Sequence, residues 1–298
     1  MISIVIPTRN RPVLLTRLVS YLESAIDIGH EIVVIDSSDR NKSSENLAKF
    51  DNVRYFRTDI KSAAIQRNIG IDKIENTDFV FFLDDDVLPN DNYFKETLET
   101  FNNENVVGVS GLAISTKECK ERRPPSGLFG LIMKIFLLDA KKDGILLKSG
   151  VNIPIRDPES GISEVDWLIG CSAWRFNAIG QIRFESDFFG QSLAEDVIFS
   201  VRMSKMGKLL TNSKILLEHD ESDIERPNRK DFWEMWVKNR YRLVSVANPG
   251  AIGKFFFWWA NLGQLIILSY SKVRKISYSD GSISGLIHGG LHVLRNKT

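Results

Sequence analysis

The chain opens on a run of apolar, mostly β-branched residues, Ile2 to Ile6, closed by Pro7. Similar runs follow at 31–36 (EIVVID), 53–57 (VRYFR), 78–83 (DFVFFL) and 105–114 (NVVGVSGLAI). Between them the apolar positions take a helical spacing. Val13, Leu14, Leu18, Val19 and Leu22 form one face of a helix. Pro12 suits its first turn, where the missing N–H costs nothing. Residues 63–74 (AAIQRNIGIDKI) and 92–101 (NYFKETLETF) read as further helices. Strands alternating with helices predict a doubly wound, mostly parallel α/β sheet. Strands that are apolar throughout predict that both faces of the sheet are covered.

The rhythm breaks at about residue 116. KECKERRPP (117–125), the apolar GLFGLIMKIFLL (127–138) and a Gly/Pro-containing loop follow, with no evident parallel strand. The pattern resumes with VDWLIGCSAWRF (165–176) as strand, AEDVIFSVRMSKMG (194–207) as a helix closed by Gly207, and KILLEHDE (214–221) as strand. From about 228 the chain is helical. In RKDFWEMWVKNRYRLVSVAN (229–248), Lys230, Glu234, Lys238 and Arg242 mark one side, and Trp233, Trp236, Val237, Val244 and Ala247 another. FFFWWANLGQLIILSYS (255–271) then runs 17 residues without a charge. A membrane-crossing helix needs about 20 predominantly apolar residues. A helix lying in the membrane interface fits better, with a core helix or a homodimer contact as the plainer readings.

The 298 residues suffice for one large α/β domain with an appendage. The net charge of +1 calls for no polyelectrolyte partner and gives no reason to expect nucleic acid. The charge is uneven, however: 23 Lys/Arg against 30 Asp/Glu in residues 1–200, and 16 against 8 in residues 201–298. A basic C-terminal quarter points to an anionic surface there, such as a membrane leaflet. The two cysteines, Cys119 and Cys171, form neither a disulfide framework nor a metal cluster and fit a reducing compartment. The first residues read as a strand rather than a signal peptide, so the expected location is cytoplasmic.

Three aspartates, Asp84, Asp85 and Asp86, directly follow the apolar Phe79–Leu83. Ligands of open parallel sheets bind beyond the carboxyl ends of the strands. Adjacent carboxylates repel one another unless a cation lies among them. In an extended segment Asp84 and Asp86 point one way and Asp85 another, which predicts a convergent pair for Mg²⁺ or Mn²⁺ with phosphate. A solvated acidic turn is the plainer alternative. The first strand is followed by PTRNRP, with neither a P-loop nor a dinucleotide fingerprint.

Taken in order, SIVIPTRNR, IVVIDSS, AAIQRNIGI, FFLDDDV, VDWLIGCSAWRF and AEDVIFSVRMSKMGKLL resemble the family 2 inverting glycosyltransferases of the GT-A fold, over roughly residues 1–220. Bacterial rhamnosyltransferase-like enzymes of cell-surface polysaccharide synthesis are similar. The resemblance implies that Pro7, Thr8 and Arg9 lie at the donor nucleotide, that Asp36 reads the base, and that Arg67 and Asn68 line the phosphate pocket. It implies that Asp84 contacts the ribose or sugar, that Asp85 is the variable middle position, and that Asp86 holds the metal with His219, beside which Asp220 and Glu221 compete as ligands. It makes Asp196 the general base with Glu195 beside it. Trp167, Gly170 and Cys171 fall on the acceptor side, Cys171 as packing rather than nucleophile. Trp174 is either an acceptor contact or core.

The expectation is therefore a Mn²⁺- or Mg²⁺-dependent inverting glycosyltransferase, peripheral on the inner face of the plasma membrane. It would use a UDP- or dTDP-sugar and a glycan or lipid-linked acceptor. Residues 1–115 would form the donor half, 116–225 an insertion and the acceptor half, and 226–298 a helical basic-aromatic region. The alternatives are a GT-A protein that binds nucleotide sugars without catalysis and a nucleotidyltransferase, although the latter lacks its usual glycine-rich loop.

Overall fold

The computed structural model describes residues 1–26, 28–40, 44–115, 125–157, 159–187, 193–220, 228–274 and 281–295. Cys119, Glu221 and the basic segment 117–124 lie outside the described residues. The chain forms two units, Met1–Lys120 with Asp157–Ser222, and Glu121–Arg156 with Asp223–Thr298. The stretch 116–225, expected as one insertion and acceptor half, is thus divided between them.

The elements of the first half run β1 (Ile2–Thr8), α1 (Pro12–Ala25), β2 (His30–Asp36), α2 (Ser44–Leu47), β3 (Val53–Arg57), α3 (Ala63–Lys73), β4 (Phe79–Phe82), β5 (Val87–Pro89), α4 (Tyr93–Thr100) and β6 (Val106–Ser115). After them come α5 (Gly127–Ile135), β7 (Ile162–Glu164), β8 (Ser172–Arg175), α6 (Phe176–Ile179), α7 (Glu195–Met203), β9 (Lys208–His219), α8 (Arg229–Ala247), α9 (Ala251–Val273) and α10 (Ser282–Arg295).

Among the described residues nine strands make one sheet in the order β3-β2-β1-β4-β8-β6-β9-β5, with β7 also on β9. The β3-β2-β1-β4 half is parallel, and all seven residues of β1 are buried, as its unbroken apolar run requires. The other half is mixed. β8 is antiparallel to both β4 and β6, whereas β6 and β9 are parallel. The strand expected over 165–176 is therefore short: only Ser172–Arg175 pairs.

This placement decides Trp174. It faces Val80 on one side and Gly108 on the other, is 1% exposed, and stands edge-on to Phe199 at 5.0 Å. A Cβ at position 108 would come within 2.5 Å of its ring, so glycine there makes room for the indole. Trp174 is core and not an acceptor contact. Its N–H stays inside, donating to Ser172 Oγ at 2.9 Å, which satisfies the one polar group that its burial would strand.

The second unit has its own apolar centre, with Val237 and Val244 of α8, Phe257 and Leu268 of α9, and Leu286 and Val293 of α10. Asn228 caps α8 by accepting from Asp231 N at 3.0 Å. Residues 127–135, which showed no strand pattern, form the helix α5. It is fixed to α9 by Trp259 Nε1 donating to Ile135 O at 2.8 Å and by Phe136 against the Trp259 ring at 4.9 Å.

Candidate active site

The C-terminal ends of β1, β2 and β4 gather the first set of residues. Gln66 of α3 donates from Nε2 to Thr8 O at 2.9 Å and to Ile35 O at 2.6 Å, tying the ends of β1 and β2 together. Pro7 is a buried residue within β1, opposite Ile35. Thr8 is also buried and donates from Oγ1 to Asp85 Oδ2 at 2.6 Å. Arg9 is exposed, 3.8 Å from Asp39. Asn10 takes a left-handed conformation (φ 58°), which asparagine tolerates better than most residues. Its amide N–H bonds Ser38 Oγ at 2.7 Å and its side chain bonds Asp39, so the loops after β1 and β2 form one rim.

Asp36 lies below that rim, fully buried. It accepts from Tyr55 Oη at 2.7 Å and from Ser38 N at 2.7 Å. Tyr55 was not anticipated as a site residue. The register carries a signal for it: Asp36 pairs with Arg57, which sets Tyr55 on the same face two positions away, within diagonal reach.

The three aspartates are not arranged as an extended strand end. β4 stops at Phe82 and the chain turns at Asp85–Asp86, so the expected convergence of Asp84 with Asp86 does not occur. Asp84 is turned toward Arg67, with Oδ1 2.6 Å from Nη2. Its neighbour Cys171 is buried, with its Sγ 3.5 Å from Asp84 Oδ2 and accepting from the Asp84 amide at 3.4 Å. Burial pushes the Cys171 thiol well up, so it stays protonated and donates to Asp84.

Asp85 and Asp86 converge instead, and on a residue absent from the expected set. Arg11 Nη1 lies 2.9 Å from Asp85 Oδ1 and 2.7 Å from Asp86 Oδ2. Burial pushes Asp85 up to about 6 against the pull of Thr8 and Arg11. Burial would raise Asp86 too, but His219 and Arg11 more than offset it and hold it below the usual carboxylate range.

His219, at the end of β9 and opposite Val87, has Nε2 3.4 Å from Asp86 Oδ1. Asp220 donates its amide to Asp86 O at 2.8 Å, and its carboxylate lies 3.5 Å from Arg17 Nη1. Among the described residues no three His, Cys, Asp or Glu side chains cluster as a metal site. Asp86 Oδ1 is nevertheless buried without a hydrogen-bond donor, beside an imidazole. One carboxylate and one imidazole fit Mn²⁺ or Mg²⁺ taking its other ligands from phosphate and water. A cavity of about 180 Å³, lined in part by Arg17, Asp85, Asp86, Glu218 and Asp220, adjoins these carboxylates.

The second set arrives on α7. Ala194, which precedes it, is left-handed (φ 70°), an uncommon state for a residue with a Cβ and one that costs about 1 kcal/mol. Glu195 and Asp196 follow in the first turn, where the helix dipole favours acids. Glu195 Oε1 accepts from Arg67 Nη1, while Oε2 is buried without a donor. Burial raises Glu195 to about 7 in spite of Arg67. Burial likewise raises Asp196 to about 6, opposed by the Val197 amide that donates to its Oδ1 at 2.8 Å.

Arg67 is itself 3% exposed, and Gly170 lies against it: a Cβ there would stand 3.1 Å from Nη2. Trp167 is half-buried in the same loop. Asn68 does not line the site. Its amide exchanges two hydrogen bonds with the Phe184 backbone and fixes that segment to α3. One guanidinium therefore links Asp84, just past β4, to Glu195, the first residue of α7.

The model of the family described as glycosyl transferase family 2 matches residues 3–158. A search of curated protein sequences gave no match. Among solved structures, S. aureus TarS (residues 1–349) in complex with UDP-GlcNAc aligns with a TM-score of 0.58 at 13% identity, over 91% of this chain and 74% of that one. The mannosyltransferase PcManGT of Pyrobaculum calidifontis, in complex with GDP-Man and Mn²⁺, gives 0.58 at 14% identity, over 100% of this chain and 88% of its own. GalNAc-T7 with UDP, GalNAc and Mn²⁺ gives 0.63 at 16% identity, over 99% of this chain and 57% of its own. With a strand-end triad of aspartates on a mostly parallel sheet and a family match over more than half its length, the chain belongs to glycosyl transferase family 2, with a GT-A fold.

Proposed function

We propose that this glycosyltransferase moves a sugar from a nucleoside diphosphate-sugar to an acceptor hydroxyl with inversion, with Asp196 as general base and a divalent cation held by Asp86 and His219. The observation that carries the reading is Arg67, whose guanidinium joins Asp84 of the donor end to Glu195, next to Asp196. Donor and base groups thereby belong to one site although they come from distant parts of the sequence.

Each residue then has a task. Thr8 holds the turn at Asp85 in shape at the β1 end, and Arg11 neutralises Asp85 and Asp86. Asp36 and Tyr55 brace the rim against which a nucleobase stacks, and Arg9 offers an exposed cation there. Mn²⁺ or Mg²⁺, when bound, supplies the charge that stabilises the departing diphosphate, and the similar structures that contain Mn²⁺ support this reading. Asp196 takes the acceptor's proton as the new bond forms at the oxocarbenium-like anomeric carbon. Its raised pKa, about 6, suits a carboxylate that must hold that proton transiently near neutral pH. Glu195, fixed by Arg67, orients the helix start.

The acceptor class is a lipid-linked or growing cell-surface glycan, and the location is the inner face of the plasma membrane. Support comes from α9, a helix long and apolar enough to cross a membrane by length and composition, on which Phe255, Leu262, Ile266 and Tyr270 are exposed. A panel of UDP-, dTDP- and GDP-sugars with Mn²⁺ or Mg²⁺ tests the donor side, since a ligand that binds the folded state alone raises its melting temperature. If no nucleotide sugar shifts the transition with either metal, the reading fails.

A further inference from the structure

We infer that Arg11 is a resident counter-ion of Asp85 and Asp86 whose charge opposes a divalent cation at Asp86, and that it withdraws from Asp86 when metal and diphosphate bind together. The inference rests on the proposed cation at Asp86 and adds how that site is kept stable without it.

Two adjacent carboxylates, 5% and 7% exposed, repel each other and lose hydration. Arg11 answers both with one nitrogen, at 2.9 and 2.7 Å. Among the described residues its guanidinium bonds nothing else. The position is built for this. Arg11 is the N-cap of α1, where a capping bond needs a side-chain acceptor that arginine lacks, so its guanidinium is directed to the two acids instead.

The contrast with Arg67 separates a fixed arginine from a releasable one. Arg67 is enclosed and joined to carboxylates on two elements. The Arg11 side chain is 29% exposed, so it can leave Asp86 without opening the core. It occupies Asp86 Oδ2 while Oδ1, beside His219, has no donor. A dication arriving there meets both a blocked oxygen and a like charge. A diphosphate changes the balance, because its negative charges accept the freed guanidinium as well as the metal. The expected behaviour is weak binding of metal alone and strong coupling between metal and donor.

The test is Mn²⁺ binding to the full chain without nucleotide, followed by electron paramagnetic resonance, and melting in EDTA. Arg11→Gln is expected to bind Mn²⁺ at least about fivefold tighter than wild type, the lower end of typical site–site coupling. In EDTA it is expected to melt several degrees lower, because the two acids lose their counter-ion. Arg11→Lys, which keeps the charge on a shorter and more strongly hydrated group, is expected to fall between the two. Equal or weaker Mn²⁺ binding by Arg11→Gln overturns the inference. If Arg11→Gln does not fold, Arg11→Lys decides: affinity equal to wild type overturns it.

Asp86→Asn in both backgrounds separates this inference from the metal reading. If Asp86→Asn abolishes Mn²⁺ binding and Arg11→Gln leaves it unchanged, the cation stays at Asp86 and only the competition fails. If Asp86→Asn leaves Mn²⁺ binding intact, the cation is elsewhere and both readings fall.

Discussion

Arg67 and Asp84 form a 2.6 Å ion pair between the second turn of α3 and the segment just past β4. The same guanidinium holds Glu195 at the start of α7. The pair with Glu195 is buried on both sides and costly to break from one, because Glu195 is then left uncompensated.

Arg67→Met is therefore expected to destabilise the unit by about 3–5 kcal/mol, the cost of breaking a buried pair. Arg67→Lys should lose much of the same stability, since one ammonium cannot reach both acids as the fork does. Denaturant unfolding measures both. A loss of less than about 1 kcal/mol for Arg67→Met would show that the pair is not what holds α7 to the donor end.

Asp196→Asn should lower turnover by about 10²–10⁴-fold while sparing donor affinity, because only the transition state needs the base. The pH dependence follows from its burial. A carboxyl raised to about 6 is protonated, and idle as a base, over a wider acid range than an ordinary aspartate. kcat/KM should thus fall as pH drops through about 6 and level off above about 7, where Glu195 is also ionised. A profile flat down to pH 5 would assign the base elsewhere.

Asp36 is expected to matter for both stability and nucleotide affinity. Asp36→Ala leaves the Tyr55 hydroxyl and the Ser38 amide without their acceptor, at a cost of about 1–3 kcal/mol. Tyr55→Phe removes only one of these bonds and keeps the carboxylate. Nucleoside diphosphate affinity should drop markedly in Asp36→Ala and much less in Tyr55→Phe. Equal affinities in both variants and wild type would remove Asp36 from the nucleotide site.

The sequence made the donor half legible because its strands are apolar on both faces and its acids stand at strand ends: Ile2–Ile6, Glu31–Asp36 and Phe79–Leu83 lie where their patterns placed them. What was hidden depends on turns and register. The pairing of Asp85 with Asp86 on Arg11 arises because the chain leaves the strand at Phe82, and the arginine comes from 74 positions earlier. For Trp174 the sequence alone leaves acceptor contact and core both open, because a short antiparallel strand wedged between β4 and β6 has no periodicity of its own. Arg240 shows the opposite failing, a signal present but unread. It falls one turn after Trp236 and one before Val244, on the apolar side of α8, where it is fully buried. There it rests 5.1 Å from the Phe257 ring and donates to Gln264 Oε1 at 3.0 Å, and burial lowers its pKa to about 9.

The last prediction concerns the helical unit. α9 is six residues longer than its charge-free run, because turns at both ends extend it to Ala251–Val273. At 1.5 Å per residue its 23 residues reach about 34 Å, enough to cross. One side is committed to protein, however: Phe257, Ala260, Asn261, Gly263 and Leu268 are buried within the unit. The other side leaves Phe255, Leu262, Ile266 and Tyr270 exposed at helical spacing, and α5, held to α9 by Trp259, exposes Leu128, Phe129, Leu131 and Ile135. Lys134, Lys254, Lys272 and Arg274 flank these faces. A one-sided apolar surface with basic flanks fits a helix lying in an anionic leaflet better than one surrounded by lipid. Each basic residue near such a surface contributes about 1 kcal/mol, screened by salt, and aromatic burial adds a part that salt does not remove. Co-sedimentation with phosphatidylglycerol vesicles should fall at high salt without vanishing, and alkaline carbonate should release the protein. Phe255→Glu with Ile266→Glu, both on exposed positions, should abolish binding while leaving the melting temperature and donor affinity unchanged. Resistance to carbonate would mean that α9 crosses. Indifference to vesicles, with a dimer in solution that the double variant dissolves, would make the same face a subunit interface.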